Sequence, residues 1–162
     1  MSARILVVDD EDIVIKSCMR ILEGGDYQID SARDGREALR KVEDSPYDIM
    51  IVDIMMPNIG GLEVLRRVKE AYPNVDVIMI TGLSQIDTAV QAMKLGAFDY
   101  ISKPFEPDEL KLVVQRALER RQLLQENLNL KSEVSSKYRF ENIIGSSPQM
   151  QEVYRLVALC AP

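Results

Sequence analysis

The sequence predicts an α/β fold built on a doubly wound parallel sheet of five strands, closed by an unusually long fifth helix. Three observations carry this. Short β-rich apolar runs alternate with longer stretches of helical period, and each change is punctuated by Gly, Pro, Asp or Asn. Three of the runs are nearly unbroken apolar segments, as expected of central parallel strands covered by helices on both faces. Such alternation means βαβ units, and 162 residues suffice for one full core with length left over for a tail or linker.

In order, the strands are expected at Ile5–Val8, Gln28–Ala32, Ile49–Val52, Val77–Ile80 and Asp99–Ser102. Helical periods near Asp12–Leu22, Gly35–Glu43, Leu62–Ala71 and Ile86–Leu95 separate them. The second run is more mixed than the first, third and fourth, which suits an edge strand. Right-handed crossovers then favour the flavodoxin-like order 2-1-3-4-5, with the first and third strands flanking the topological switch point.

The fifth helical pattern, begun after Pro107, runs through Asp108–Ser135 without a Gly or Pro. At ~1.5 Å per residue such a helix is roughly 42 Å long, more than a small domain needs. Leu110, Val114, Ala117, Arg121, Leu124, Leu128 and Lys131 alternate in steps of four and three, a heptad seam interrupted by two charged residues. A short, imperfect parallel dimer coil is expected from this spacing; the alternative is one amphipathic helix docked on its own domain, and Leu123 and Leu130 lie off the seam. After Ser135-Ser136 the composition changes, and a new helical pattern at Met150–Leu159 follows a Gly-Ser-Ser-Pro start signal. It reads as the opening of a second domain.

Composition narrows the chemistry. Lys and Arg number 20 against 26 Asp and Glu, a formal net charge of −6, which argues against direct nucleic-acid contact by this chain. Two cysteines, Cys18 and Cys160, sit among apolar residues of helical pattern and form no metal-ligand spacing, as expected of thiols in a reducing compartment. No basic-then-apolar leader is visible, so a soluble, cytoplasmic protein is expected. Histidine is absent, so any chemistry falls to carboxylates, lysine and hydroxyls.

Placed on the sheet, Asp9 and Asp10 end the first strand, Asp53 the third, Thr81 the fourth and Lys103 the fifth. All fall at the carboxyl edge, where open α/β sheets bind ligands. Three carboxylates about 4 Å apart repel by several kcal/mol per pair at an effective dielectric near ~20, and Lys103 supplies only one compensating charge. A hard divalent cation with oxygen ligands fits the remainder, and Mg²⁺ is expected, on Asp10 and Asp53 directly and on Asp9 through water. Asp53 is the expected phosphoryl acceptor, since a carboxylate beside a cation and an ammonium needs little beyond positioning and charge neutralisation. The Ile54-Met55-Met56-Pro57 loop can turn the Met55 carbonyl toward the metal, and Thr81 can donate to a phosphoryl oxygen. Any one of these acids alone is as well explained as a helix cap; the set of five at strand ends is not.

These residues resemble the receiver domains of bacterial two-component response regulators. The likeness covers roughly Arg4 to Glu119 and rests on Val7-Val8-Asp9-Asp10-Glu11, Val52-Asp53-Ile54-Met55-Met56-Pro57 with Gly61-Leu62, Ile80-Thr81-Gly82, Gly96-Ala97 and Tyr100-Ile101-Ser102-Lys103-Pro104-Phe105. The resemblance implies the CheY-like version of this fold, a sensor histidine kinase that phosphorylates Asp53, and Mg²⁺ held by Asp10, Asp53 and the Met55 backbone oxygen. It also implies Lys103 on the phosphoryl group, a cis peptide before Pro104, and a switch pair of Thr81 and Tyr100, the ring rotating into space that the threonine vacates.

Gly61-Leu62-Glu63-Val64-Leu65, Ser84–Val90 and Gly96–Tyr100 resemble the NtrC-like branch, regulators of sigma-54-dependent transcription, and Ile143–Met150 resembles the entry to their AAA+ ATPase domain. Expected boundaries are residues 1–119 for the receiver, 120–137 for a coiled-coil linker and 138–162 for the start of a truncated ATPase domain. The implied function is a phosphorylation-dependent switch that dimerises through the fourth- and fifth-helix region and the linker and regulates an attached ATPase. Two departures stand out. No Gly-x-x-x-x-Gly-Lys phosphate loop occurs, so neither ATPase nor other enzyme activity is expected beyond Mg-dependent self-phosphorylation and dephosphorylation. Gly60 replaces a usual polar residue, which predicts a looser loop before the third helix. The other functions in view are a degenerate receiver that only dimerises, and a flavin or small-ligand binder, which three acids at the sheet's mouth disfavour.

Overall fold

The computed structural model describes residues 2–82 and 86–137, with the side chains of Ile86 and of residues 132–137 outside that description. The expected second-domain opening at residues 138–162, with Cys160 and the Met150–Leu159 pattern, lies outside the described residues. The elements run β1 (Ala3–Val8), α1 (Asp12–Leu22), β2 (Tyr27–Ala32), α2 (Gly35–Asp44), β3 (Ile49–Asp53), α3 (Gly61–Ala71), β4 (Asp76–Gly82), α4 (Ile86–Lys94), β5 (Asp99–Lys103) and α5 (Pro107–Lys137). The five strands form one parallel sheet in the order β2-β1-β3-β4-β5, the flavodoxin-like order expected from the alternating pattern and the CheY-like version that the resemblance implies.

Every strand reaches one to three residues beyond the apolar run that announced it. The reason is that a ladder is made by backbone groups: Asp53 pairs with Ile80, Thr81 with Ser102 and Gly82 with Lys103, although hydropathy stops before them. This register is what sets the polar strand ends side by side.

The sheet is covered on both faces. On one, Leu6, Val8, Met50, Val52, Val77 and Met79 pack against Ala38 and Val42 of α2, Val64, Leu65 and Val68 of α3, and Ala92 of α4. On the other, Ile5, Val7, Ile49, Ile51, Ile78, Ile80 and Ile101 meet Ile15, Cys18 and Leu22 of α1 and Leu110, Val113, Val114 and Ala117 of α5. Alternate residues of one strand thus feed opposite cores, the period-two consequence of the pleat. Burial pushes the Cys18 thiol up to about 12, with Asp9 adding to the effect, so it behaves as a small apolar group.

Local signals explain the helix starts. Asp34 caps α2 by accepting from the Glu37 amide at 2.7 Å, while Glu37 reaches back to the Arg33 amide at 2.9 Å, a reciprocal arrangement of the capping-box kind. At α3 the cap position is Gly60, which offers no side-chain acceptor. Gly61 donates to the Ile54 carbonyl at 3.0 Å, and a Cβ at residue 61 would run into the Asp53 carbonyl oxygen. The second glycine is a close-approach residue that lets α3 start directly against the end of β3.

The heptad spacing of α5 resolves into two parts. Leu110, Val114 and Ala117 are fully buried in the domain's own core, so these seam positions serve intramolecular packing. Leu124 and Leu128, and the off-seam Leu123 and Leu130, are exposed. The chain divides into two compact units, Met1–Arg120 and Arg121–Pro162. Among the described residues no helix is long and apolar enough to cross a membrane.

Candidate functional site

The carboxyl edge of the sheet gathers Asp9, Asp10, Asp53, Thr81 and Lys103, as the strand-end placement predicts. Asp53 is the last residue of β3, 4% exposed, and its neighbour across the switch point, Asp9, is fully buried just beyond β1. Asp10 points to solvent. Carboxylate oxygens of Asp9, Asp10 and Asp53 all lie within 4.8 Å of one another.

Lys103 bridges two of the three. Its Nζ donates to Asp9 Oδ2 at 2.9 Å, stands 3.3 Å from Asp53 Oδ1 and reaches Glu11 Oε1 at 3.5 Å. Asp9 is occupied at both ends, since its Oδ1 accepts from the Glu11 amide at 2.8 Å and so orients the start of α1. Glu11 was not singled out by the strand-end pattern. It sits one position past the pair of acids, and adjacency was the only signal available.

Charge is out of balance here. Burial pushes the Asp53 carboxyl up to about 6; Lys103 pulls the other way, and Asp9 and Asp10 add to the rise. For Lys103, burial opposes the ammonium, but its bond to Asp9 and the charge of Asp53 outweigh that and hold it above its ordinary value. One ammonium does not neutralise three carboxylates at this separation. The three carboxylates could hold a metal ion: the donors are all oxygens, two buried and one open to water, a set that suits a small divalent ion keeping part of its hydration.

The remaining predicted residues are placed as follows. Thr81 is buried near the end of β4, and its hydroxyl donates to the Gly82 carbonyl at 3.3 Å. Tyr100, on β5, is 46% exposed. Met55 lies in the loop after β3 with an exposed side chain, followed by Asn58 in the left-handed region at φ 64°, which Asn tolerates better than most residues. The Lys103-Pro104 peptide is cis.

Comparison with known proteins agrees with this geometry. Residues 5–115 match the response regulator receiver domain. The regulatory protein AtoC of Escherichia coli K12 is 35% identical over 158 residues, covering 98% of this chain and 34% of that protein. The DNA-binding transcriptional regulator NtrC of the same strain is 34% identical over 151 residues, covering 93% of this chain and 31% of its own length. The chain thus spans about a third of the curated relatives it matches. Among solved structures, NtrX from Brucella abortus superposes with a TM-score of 0.75 at 34% identity, covering 100% of this chain and 35% of that one. A receiver domain protein from Clostridium thermocellum gives 0.71 at 35% identity over 75% of this chain and 98% of its own. With the strand order, the acidic strand ends and these matches in agreement, the chain belongs to the response regulator receiver domain family, with relatives among the NtrC-like regulators.

Proposed function

We propose that the chain is the phosphorylation switch of a two-component system, with Asp53 accepting a phosphoryl group from the phosphohistidine of a sensor kinase. The observation that carries this is Asp53 itself: a buried carboxylate at the end of the central strand, 3.3 Å from the Lys103 ammonium and within 4.8 Å of Asp9 and Asp10. An Asp53 oxygen attacks phosphorus, the phosphorus–nitrogen bond breaks, and the departing electron pair stays on the imidazole, which solvent protonates. Lys103 holds a phosphoryl oxygen while charge builds there. Phosphoryl transfer needs little more from the protein than this positioning.

Asp10, Asp53 and the Met55 carbonyl would hold Mg²⁺, with Asp9, already engaged by Lys103 and Glu11, acting through water. When bound, the ion supplies neutralising charge to the phosphoryl oxygens. Thr81 gives up its bond to the Gly82 carbonyl for one to a phosphoryl oxygen, and the outward ring of Tyr100 turns into the space released. In a cytoplasmic regulator of the NtrC kind, these shifts change the fourth- and fifth-helix face and a dimeric linker over residues 120–137, and so control an attached sigma-54-activating ATPase.

Incubation with Mg²⁺ and acetyl phosphate, followed by intact-mass measurement, tests the acceptor. One added phosphoryl group, labile to hydroxylamine and absent in Asp53→Asn, is expected. Uptake that survives this substitution sinks the assignment.

A further inference from the structure

Among the described residues, Asp9, Asp53, Asp76 and Thr81 are the buried polar side chains. Three of them belong to the site. Asp76 does not: it opens β4 at the amino edge of the sheet, the end opposite Thr81, and is 4% exposed. A buried carboxylate needs a partner, and removing that partner is costly because it leaves the buried charge uncompensated.

The partner is Arg120, whose Nη1 lies 2.7 Å from Asp76 Oδ1 and whose guanidinium stands 5.7 Å from the centroid of the Phe98 ring. Arg120 is the last residue of the first compact unit. It also continues a ridge. Leu110, Val113, Val114 and Ala117 bury the inner face of α5, and the next position at a helical step of three is 120. Beyond Ala117 the apolar anchoring thins: Leu118 is partly buried and Glu119 is exposed. Arg120 therefore extends the helix's attachment by a turn, using a directional contact in place of a greasy one. A second basic residue on the helix, Arg116, pairs with Asp99 at 3.2 Å; the two arginine side chains are about equally exposed, 58% for Arg116 and 54% for Arg120, and the pairs differ in the acid, which is 24% exposed at Asp99 and 5% at Asp76.

We propose that Arg120, seated on Asp76 and Phe98, is a positioning clasp that fixes the point at which α5 leaves the receiver unit. A rearrangement of the receiver is then delivered to residues 121–131 and is not dissipated by fraying at the exit. The clasp grips the same strand that carries Thr81, so β4 has the site at one end and the helix exit at the other. Only this regulated arm rests on the phosphoacceptor assignment above; the anchoring arm stands without it.

The test is amide hydrogen exchange on the full chain, resolved into residues 108–117 and 121–131, with and without Mg²⁺ and beryllofluoride, alongside acetyl phosphate uptake at Asp53. In Arg120→Ala and Arg120→Met, exchange over 121–131 is expected to rise on the order of fivefold or more, with 108–117 and phosphoryl uptake unchanged. Any beryllofluoride response of 121–131 seen in the parent is expected to disappear. Arg120→Lys restores part of the protection, and Arg116→Ala leaves 121–131 as it was. The clasp is overturned if both segments speed up together, if 121–131 does not change, or if Arg116→Ala has the same effect. Failure of phosphoryl uptake in the parent chain refutes the acceptor assignment instead, leaving the exchange contrast to decide the clasp.

Discussion

Replacing Asp53 with Asn should stabilise the metal-free protein, by an amount that depends on pH. The folded-state carboxyl sits at about 6 against an ordinary 3.8, chiefly through burial. Because folding raises this value, Asp53 contributes its full stability below the unfolded value near ~3.8, and that contribution is lost as pH rises through about 6. At ~1.4 kcal/mol per tenfold change in proton affinity, ionised Asp53 holds the fold back by about 3 kcal/mol at pH 8. Asparagine has nearly the same shape without the charge, although its amide is a poorer neighbour for Lys103 than a carboxylate, so about 2–3 kcal/mol of stabilisation is expected at pH 8. The gain should fade toward zero near pH 4, where the native carboxyl is protonated. Urea titrations of both proteins in EDTA at pH 4, 6 and 8 give the two curves, and taking their difference cancels the titrating groups that do not feel Asp53, leaving its own titration and that of the neighbours coupled to it. A difference that is flat with pH, or a variant less stable at pH 8, would refute the charge-surplus account of the site.

Three other outcomes follow from the same geometry. Gly61→Ala should cost about 1–3 kcal/mol in urea unfolding, because the new methyl meets the Asp53 carbonyl, whereas Gly60→Ser, with the nearest atom 3.6 Å from its Cβ, should be neutral or gain a few tenths through a new cap. Lys103→Met should lower stability at pH 8 by about 3 kcal/mol by leaving Asp9 and Asp53 unpaired, and the loss should shrink when Asp53→Asn is added, a coupling that a double-mutant cycle reads directly. Leu110→Ala should cost about 2–5 kcal/mol as a cavity in the core, while Leu124→Ala should leave unfolding within about 0.5 kcal/mol and weaken self-association in sedimentation if the linker pairs with a second copy.

Much of the site was legible because its polar residues stand where apolar runs stop. Asp53 terminates a strand whose hydropathy is unmistakable, Lys103 follows the weaker Asp99–Ser102 run, and parallel strands share one carboxyl edge, so convergence follows from topology once the strands are placed. Which of two adjacent acids turns inward was not legible. Asp9 is fully buried and Asp10 exposed, yet both lie past the last residue of β1, where alternation no longer applies. Arg120 and Asp76 are 44 residues apart in the chain, and no local pattern joins them. The Gly60-Gly61 pair was illegible for a different reason: permissiveness and tight fit call for the same residue, and the Asp53 carbonyl beside Gly61 is what marks that position as a close approach.

The long helix shows why periodicity alone left two structures open. A heptad seam and an amphipathic face docked on a sheet both place apolar residues three and four apart, so Leu110, Val114 and Ala117 satisfy either. What separates them is the hydrophobic surface each has to cover. The face of the sheet formed by Ile5, Val7, Ile49, Ile51, Ile78, Ile80 and Ile101 needs a cover, and α1 supplies part of it through Ile15, Cys18 and Leu22 with the partly buried Val14 and Ile21, while α5 supplies Leu110, Val113, Val114 and Ala117. The first turns of α5 are therefore claimed by the domain before any partner can compete for them. The exposed leucines of the coiled-coil expectation begin at Leu124, beyond Arg120. One uninterrupted helix thus changes its role within about two turns, from sheet cover at Ala117 to exposed apolar surface at Leu124, and between them stands Arg120, whose guanidinium is held by a buried acid.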